Sequence, residues 1–327
     1  IMKKLLGIVV LGLLWCNTVS SHEGHTFEFK KSGFIYNDKG IVKYIDGIKY
    51  KRGKLFNSTL LKVYKIDPDK TIIVIFTHGM SANKEKRCNW HNAVVHMSKL
   101  TGYKIRDKEI KVFMNCEGMK VGGKRTFRKK NLMPLEEFVG DKPFIKNATY
   151  FNRKQKTVEL INKFISEGMN PKNIFTSGLS WGGWNSLRIA GFNSELINSS
   201  IAFFPGCCSE KRKQKPGSNL AEEIKYFFYN IKTAKEINAL IFSSYADARE
   251  TPESLIFLKN IKGIKMIEVP GFEDGKKIIK INGKVCKYDT HDQNNKNITD
   301  GHFLLASSCF EPYFKIIKEY MESRILN

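Results

Sequence analysis

A serine lies between glycines in the run Gly178-Leu179-Ser180-Trp181-Gly182. This G-x-S-x-G pattern is typical of a sharp turn between a strand and a helix, where glycines let the two elements approach and the serine hydroxyl is exposed. Strand and helix patterns flank it here, so Ser180 is predicted to be a nucleophile. A phosphate-binding glycine turn is disfavoured because that fingerprint follows the first strand of a βαβ unit, whereas this run lies in the middle of the predicted sheet.

Two histidines follow Ser180 in the chain, His291 and His302. A serine hydroxyl is a weak nucleophile at neutral pH, so a histidine must accept its proton and an acid must orient that histidine, in the chain order serine, acid, histidine. His302 is favoured because it stands just before an amphipathic helix pattern. For His291, in a polar segment, a solvated loop residue is the simpler interpretation.

The acid of such a triad is expected just after a strand that follows the serine turn. Residues 239–245 have a strand pattern, and Asp247 comes directly beyond them. Asp247 is therefore the predicted acid, and Glu250 stays open as a competitor under the same triad logic.

Apolar, β-branched runs alternate with helical patterns along most of the chain, which predicts a mostly parallel sheet with helices on both faces, an α/β fold. Before them, Asp46-Gly47 between two short alternating runs predicts an N-terminal antiparallel hairpin, and Asn282-Gly283 predicts a second hairpin late in the chain. Strands are predicted at 72–76, 110–114, 174–176, 201–204, 239–243 and 265–269, and helices at 84–100, 156–167, 184–189, 220–228, 252–259 and 312–322.

Three further motifs accompany the serine turn: Phe76-Thr77-His78-Gly79, Ala202-Phe203-Phe204-Pro205-Gly206-Cys207 and Gly301-His302-Phe303. Through these four motifs the chain resembles the α/β-hydrolase superfamily, and most nearly its dienelactone-hydrolase-like branch, over about residues 72–321. In relatives, one fewer residue usually separates the acid from the Thr-Pro pair that is here Thr251-Pro252, and this departure keeps Glu250 in competition with Asp247. The resemblance implies the α/β-hydrolase fold and a triad of Ser180, Asp247 and His302.

Acyl transfer by such a serine needs two backbone N–H donors for the oxyanion, one from the residue after the nucleophile and one from the loop after the third strand. Trp181 is the first predicted donor. Met80 is the second, with Ser81 as the fallback, and His78 is interpreted as shaping that turn. No cofactor is expected, and no cysteine spacing predicts a zinc site.

The N-terminus has the three-part pattern of a secretory signal peptide: Lys3 and Lys4, an apolar run at 5–15, and small and polar residues at 17–21. The apolar run is shorter than the roughly 20 residues that span a bilayer. Residues 1–20 are therefore predicted to be removed, which leaves 21–327 as one domain in the periplasm or outside the cell.

Cysteines of an exported chain often form disulfides, and six remain beyond the predicted signal peptide. Buried free thiols are the alternative. Two of the six lie on either side of His302, and we hypothesise a bridge between them that pins the histidine loop. The six are Cys88, Cys116, Cys207, Cys208, Cys286 and Cys309.

The formal net charge is +23. Such a charge attracts anionic membrane surfaces or substrates, but lysine is frequent along the whole chain, and a general coding bias is the simpler interpretation. Two long segments, 117–150 and 271–301, are expected to carry function or minor structure. The first contains a basic cluster that could receive an anionic substrate, although a solvated loop that shares the general lysine excess is the simpler interpretation. The cluster consists of Lys120, Lys124, Arg125, Arg128, Lys129 and Lys130.

The sequence thus predicts an exported serine hydrolase that cleaves an ester or related acyl bond of a small molecule and has no nucleic-acid partner. A serine peptidase or amidase with the same triad stays open. So does a catalytically silent binding protein, because a fold does not guarantee a function. The oligomeric state is not predicted.

Overall fold

A computed structural model describes residues 26–29, 66–79, 97–115, 149–206, 231–270, 272–273, 278–288 and 296–326 of the chain. Its main sheet has eight strands in the spatial order β1-β4-β2-β5-β6-β7-β8, with β3 paired to β4. The strands are β1 (Thr26–Phe29), β2 (Thr71–Thr77), β3 (Lys104–Ile105), β4 (Lys108–Asn115), β5 (Ile174–Leu179), β6 (Ser199–Phe203), β7 (Glu236–Ser244) and β8 (Lys262–Val269).

The six strands from β4 to β8 in this order are all parallel to their neighbours, whereas β1 and β3 run antiparallel to β4. Parallel strands buried on both faces need a nearly continuous apolar sequence, and β2, with the sequence TIIVIFT, is buried at every position. The predicted parallel sheet is therefore confirmed, and each predicted strand lies within an observed one except the last residue of 201–204.

Among the described residues, three longer helices cover the sheet: α1 (Thr149–Ser166), α2 (Trp181–Phe192) and α3 (Tyr313–Leu326). Apolar side chains that alternate along β2 separate into two cores. Ile73 and Ile75 pack in the core that includes residues of α1 and α2, whereas Val74 and Phe76 pack in the core that includes residues of α3. This sorting follows from the two-residue period of a strand. Helices on both faces of the sheet are thereby confirmed.

The helix predicted at 252–259 is wrong in type and bounds, because the structure has a 3₁₀ helix at Ile256–Asn260. The N–H of Leu258 bonds to the carbonyl of Leu255, the spacing of a 3₁₀ helix. Just before it, the Ser254 hydroxyl bonds to the carbonyl of Thr251, and such side-chain bonds compete with a regular helix. Other 3₁₀ helices occupy Ser98–Leu100, Pro171–Asn173, Ser194–Leu196, Gly301–Ala306 and Ser308–Phe310.

A small second sheet of three antiparallel strands follows β8, in the order β11-β10-β9. Asn282 and Gly283 both have positive φ, 50° and 75°, which is the geometry of the tight hairpin turn predicted there. The hypothesised bridge between Cys286 and Cys309 is present in the structure, with the Cα atoms 5.5 Å apart. The strands are β9 (Phe272–Glu273), β10 (Ile279–Ile281) and β11 (Lys284–Val285).

Several predictions lie outside the described residues. They are the hairpin around Asp46-Gly47, most of the helix at 84–100, the helix at 220–228 and the basic cluster between Lys120 and Lys130. Of the helices that the structure does describe, none has the length and apolar character needed to cross a membrane.

Candidate active site

Ser180 occupies a strained turn between β5, which ends at Leu179, and α2, which begins at Trp181. Its backbone has φ 59° and ψ −123°, a region that residues with a side chain rarely adopt. The Ser180 N–H donates to the carbonyl of Phe203 in the neighbouring strand at 2.9 Å, and its carbonyl accepts from Trp184 in α2 at 3.0 Å. The turn is thus held from both sides, and it presents the serine at the carboxyl end of β5.

Glycines around Ser180 are required by close backbone contacts. A Cβ atom on Gly182 would lie 1.9 Å from the carbonyl oxygen of Thr77, and one on Gly178 would lie 2.3 Å from the carbonyl carbon of Gly182. A Cβ on Gly79 would lie 2.9 Å from the Ser180 Cβ and 3.4 Å from its Oγ. The end of β2 therefore packs directly against the serine turn, as the G-x-S-x-G pattern predicts.

The Nδ1 atom of His302 lies 2.8 Å from the Oδ2 atom of Asp247, and both side chains are buried. A neutral histidine that donates from Nδ1 keeps Nε2 as the proton acceptor. Nε2 is buried and has no hydrogen-bond partner among the described residues. A buried polar atom without a partner is uncommon in a folded protein, so Nε2 is available to a reacting group.

The other carboxylate oxygen of Asp247 is bonded to its own loop. Oδ1 accepts the backbone N–H groups of Arg249 at 2.7 Å and Glu250 at 3.2 Å. These bonds fix the carboxylate so that Oδ2 faces the imidazole. Glu250, the competing acid, is also buried, but its Oε2 accepts the hydroxyl of Ser254 at 3.1 Å. The structure therefore pairs His302 with Asp247.

Three neighbouring strands bring these residues to one edge of the sheet. Ser180 follows β5, Gly206 follows β6, and Asp247 follows β7. A Cβ on Gly206 would lie 2.9 Å from the Cε1 atom of His302, so the imidazole packs against the end of the β6 segment. The carboxyl ends of parallel strands are where open α/β sheets bind ligands.

Asp300 and Gly301, to which the sequence analysis gave no role of their own, join the loops of the acid and the histidine. Asp300 accepts a backbone N–H from each loop, and the Gly301 N–H donates to the carbonyl of Ala246 at 2.8 Å. Asp300 is the N-cap of the 3₁₀ helix at Gly301–Ala306. Aspartate is a preferred N-cap residue, so its position before an apolar run is the signal in the sequence.

The Phe303 ring lies beside the imidazole of His302, with the ring centroids 5.6 Å apart, and an arginine and a tyrosine lie beside Phe303. The Arg249 guanidinium is 5.2 Å from the centroid of the Phe303 ring, and the Tyr288 ring is 6.5 Å from it. The pKa of Tyr288 is raised, first by burial and then by the negative charge of Asp300, while Arg249 acts in the opposite direction. Tyr288 thus stays protonated at neutral pH and adds no negative charge near His302.

Trp181 is the first residue of α2, so its N–H belongs to the helix turn whose donors point toward developing negative charge. Met80 and Ser81, the other predicted oxyanion donors, lie outside the described residues, as does His291. His78 is fully buried, and its Nδ1 lies 2.5 Å from the carbonyl oxygen of Gly79. Within the described ranges, no group of three or more His, Cys, Asp or Glu side chains is arranged to hold a metal.

Sequence comparison with protein-family models found no match, and comparison with curated proteins found none either. Solved structures do match. An acetyl xylan esterase from Paenibacillus sp. R4 is 12% identical over 78% of this chain and 75% of that one, with a TM-score of 0.46. Est1E from Butyrivibrio proteoclasticus is 14% identical over 80% and 90% of the two chains, with a TM-score of 0.40. Dipeptidyl peptidase 4 from Porphyromonas gingivalis is 14% identical over 62% and 28%, with a TM-score of 0.41.

The fold itself is identified by features internal to the structure. They are the strand order of the parallel sheet, the helices on both of its faces, and the strained serine between the central strand β5 and α2. This combination is that of the strand–turn–helix elbow on an α/β-hydrolase sheet. The chain therefore has the α/β-hydrolase fold.

Proposed function

We propose that the protein is a serine hydrolase that cleaves an ester or related acyl bond through a covalent acyl-enzyme. The observation that carries the proposal is the buried His302–Asp247 pair, with Nδ1 and Oδ2 2.8 Å apart and Nε2 left available, at the same sheet edge as the strained Ser180. Serine, acid and histidine occur in the chain order of this fold. The geometry favours a catalytic role over a silent scaffold, for which an available buried Nε2 has no use.

In the first half of the reaction, Ser180 Oγ attacks the acyl carbon and its proton passes to His302 Nε2. The imidazolium that forms is stabilised by Asp247 Oδ2. The negative charge on the carbonyl oxygen is accepted by backbone N–H groups, for which we propose Trp181 and Met80. His302 then gives the proton to the leaving alcohol, and the C–O bond breaks to leave the acyl-serine.

In the second half, water replaces the alcohol. The water oxygen attacks the acyl carbon while His302 Nε2 accepts a proton from that water. His302 then gives this proton to Ser180 Oγ as the acyl–serine bond breaks. The products are a carboxylic acid and a free enzyme. No step needs a metal or an organic cofactor.

The test is labelling of the purified mature protein with a fluorophosphonate, which forms a covalent bond with an activated serine. Wild type is expected to be labelled, whereas Ser180→Ala and His302→Ala are expected to lose labelling. Labelling that persists in Ser180→Ala would overturn the assignment of the nucleophile. A wild type that is never labelled, although it is folded, would favour the silent scaffold.

In this proposal the leaving group is an alcohol, so the bond cleaved is an ester. The alternative is a peptidase, for which the leaving group is an amine. Hydrolysis of short-chain and long-chain esters is expected to exceed hydrolysis of matched peptide amides at equal concentration. Acidic acyl groups should be included, because the formal charge of +23 favours anionic substrates and surfaces. Faster cleavage of the amides would replace the esterase with a peptidase or amidase on the same triad.

Export is a further part of the proposal. The N-terminal pattern at 1–20 supports it, and the Cys286–Cys309 bridge fits an oxidising compartment such as the periplasm or the cell exterior. Mass spectrometry of the protein recovered from its source is expected to find the mature N-terminus near Ser21. A mature form that retains Lys3 and Lys4 would contradict a cleaved signal peptide.

A further inference from the structure

Asp300 links the backbone of the predicted acid's loop to the backbone of the predicted base's loop. Its Oδ1 atom accepts the N–H of His302 at 2.9 Å and the N–H of Ala248 at 3.1 Å. Ala248 directly follows Asp247 and lies 52 positions from Asp300 in the chain. One carboxylate oxygen thus bonds to the backbone of one member of the pair and to the backbone next to the other.

The loop from Asp247 to Glu250 is bonded at every backbone N–H. Asp247 donates to the carbonyl of Ser244, and Arg249 and Glu250 donate to Asp247 Oδ1. Both acceptors, the Ser244 carbonyl and Asp247 Oδ1, belong to the same segment of chain. The acceptor for Ala248 alone comes from the histidine loop. Beside the Asp247–His302 bond and the contact of Arg249 with Phe303, the bond to Asp300 thus ties the backbone of this loop to the histidine loop.

Backbone contact brings the two loops close but leaves little tolerance for movement. The Gly301 N–H donates to the carbonyl of Ala246 at 2.8 Å. A Cβ on Gly301 would lie 2.6 Å from the carbonyl carbon of Ala246 and 2.8 Å from the nitrogen of Asp247. The close contact at Gly301 sets the distance between the two loops. Asp300, one residue earlier, fixes their relative position by bonding to one N–H group in each.

We propose that Asp300 is a positioning residue for the His302–Asp247 pair. The inference rests on the proposed function, because the pair is useful only if His302 accepts the proton of Ser180. Asp300 acts through backbone N–H groups and makes no hydrogen bond to the imidazole ring. Hydrogen bonds to a carboxylate are stronger than neutral ones, and a displacement of about 1 Å in a catalytic group lowers a rate by about 100-fold.

Three substitutions separate the possible roles of the side chain. Asp300→Asn keeps an oxygen that accepts both N–H groups and removes the charge. Asp300→Ser keeps an N-cap oxygen for His302, but this shorter side chain does not also reach Ala248. Asp300→Ala removes both acceptors. If the link between the loops is what matters, Ala and Ser impair the site and Asn does not.

The first readout is the rate constant of fluorophosphonate labelling at Ser180. Asp300→Ala and Asp300→Ser are expected to lower it by roughly 10- to 100-fold, and Asp300→Asn is expected to restore most of it. The second readout needs no reaction: the downfield proton resonance of the His302 Nδ1–H, assigned by its loss in His302→Ala. It is expected to persist in Asp300→Asn and to shift or broaden in Asp300→Ala and Asp300→Ser.

Asp67 offers a matched control, because its Oδ1 also accepts two backbone N–H groups, from Asp69 at 3.0 Å and Lys70 at 3.3 Å. It precedes β2, at the opposite edge of the sheet from Ser180. Asp67→Ala is expected to leave the labelling rate and the His302 resonance unchanged. An equal fall of the labelling rate in Asp67→Ala would show a general loss of stability and overturn the proposal.

The remaining outcomes also test the positioning role of Asp300. Wild-type labelling and an unchanged resonance in Asp300→Ala would overturn the positioning role, and equal impairment by Asn, Ser and Ala would replace positioning with a role for the charge. If Asp300→Ala does not fold, the comparison of Ser with Asn carries the same test. A wild type that is not labelled would overturn the proposed function instead, and the resonance would still test the link.

Discussion

The turn that carries Ser180 and the loops that carry Asp247 and His302 are held by different forces. Around Ser180, backbones touch, and there is no space for a methyl group on Gly178 or Gly182. Around the pair, a close backbone contact at Gly301 is combined with polar and covalent contacts: the two N–H groups bonded by Asp300, the backbone bond of Gly301, and the disulfide between Cys286 and Cys309. Packing of backbones contributes most at the nucleophile, whereas directional bonds contribute more at the base and its acid.

This difference has a physical reason. The serine turn joins two elements that are adjacent in the chain, β5 and α2, and the end of β2 packs directly against it. Asp247 and His302 lie 55 positions apart, and the segment between them includes β8 and a second small sheet. Loops so far apart in the chain need specific bonds to be held within hydrogen-bond distance.

The largest effect is expected for Asp247→Asn, because this substitution reverses the hydrogen bond between residue 247 and His302 Nδ1. The Asn oxygen keeps the bonds to the Arg249 and Glu250 N–H groups, so its amide NH₂ faces His302 Nδ1. The imidazole then carries its proton on Nε2 and does not accept the proton of Ser180. The labelling rate is expected to fall by about 10⁴-fold, the magnitude for the same change in a serine protease triad. A fall below tenfold would show that Asp247 does not orient the base.

The steric arrangement is tested by Gly182→Ala. The added methyl group would lie 1.9 Å from the carbonyl oxygen of Thr77, so β2 and α2 must separate. We expect a loss of about 3 kcal/mol in the free energy of unfolding in urea, the upper range for overpacked sites. Gly191→Ala in the same helix is the control. Its Cβ would meet Ala234 at 3.1 Å, and alanine favours a helix by about 1 kcal/mol, so its net change is expected to be small. Equal effects of the two substitutions would contradict a steric elbow.

The disulfide beside the His302 loop is tested by the double variant Cys286→Ala/Cys309→Ala. The bridge closes a loop with a sequence separation of 23, for which the chain-entropy model gives roughly 3 kcal/mol of stabilisation. The double variant is expected to unfold at lower urea concentration and to label more slowly. Reduction should shift the unfolding midpoint of wild type more than that of the double variant. The same shift in both would mean that this bridge does not stabilise the fold.

The smallest effect is expected for Glu250→Gln. Glu250 is buried near the pair, and its carboxylate accepts the Ser254 hydroxyl, a bond that a glutamine oxygen also accepts. Because His302 bonds to Asp247, the labelling rate is expected to change by less than tenfold, against about 10⁴-fold for Asp247→Asn. The reverse order of the two effects would assign the acid to Glu250.

The two regions also differ in what their sequence revealed. The strands and the serine turn could be predicted because their signals are local: apolar runs for the buried strands, and glycines where backbones touch. Asp247 and His302 were chosen by chain order and by the strand that precedes the acid, and the structure pairs them. Asp300 was not singled out, since its partner Ala248 is distant in the chain and has no distinctive side chain.

The prediction at 252–259 shows the limit of helical periodicity. Its apolar positions fit a helix, yet a short segment gains little from regular hydrogen bonds, and the Ser254 hydroxyl bonds to the carbonyl of Thr251 just before the 3₁₀ helix. The hairpin at Asn282-Gly283 was predicted because its turn demands positive φ at both positions, which few residue pairs accept. A backbone conformation that only a few residue types adopt, such as positive φ, is thus easier to predict from sequence than a side-chain hydrogen bond that competes with a helix.

The small sheet before His302 has a consequence for how activity is lost on heating. Its backbone hydrogen bonds are largely internal. The Ile279 N–H donates to the carbonyl of Ile298, the Ile298 N–H to the carbonyl of Cys286, and the Cys286 N–H to the carbonyl of Ile279. Although its apolar side chains belong to one of the two cores, we expect this unit to open at a lower free energy than the parallel sheet needs to unfold. Opening would release His302 while Ser180 stays on its turn. We therefore expect inactivation to precede global melting, with amide exchange in this unit faster than in β5.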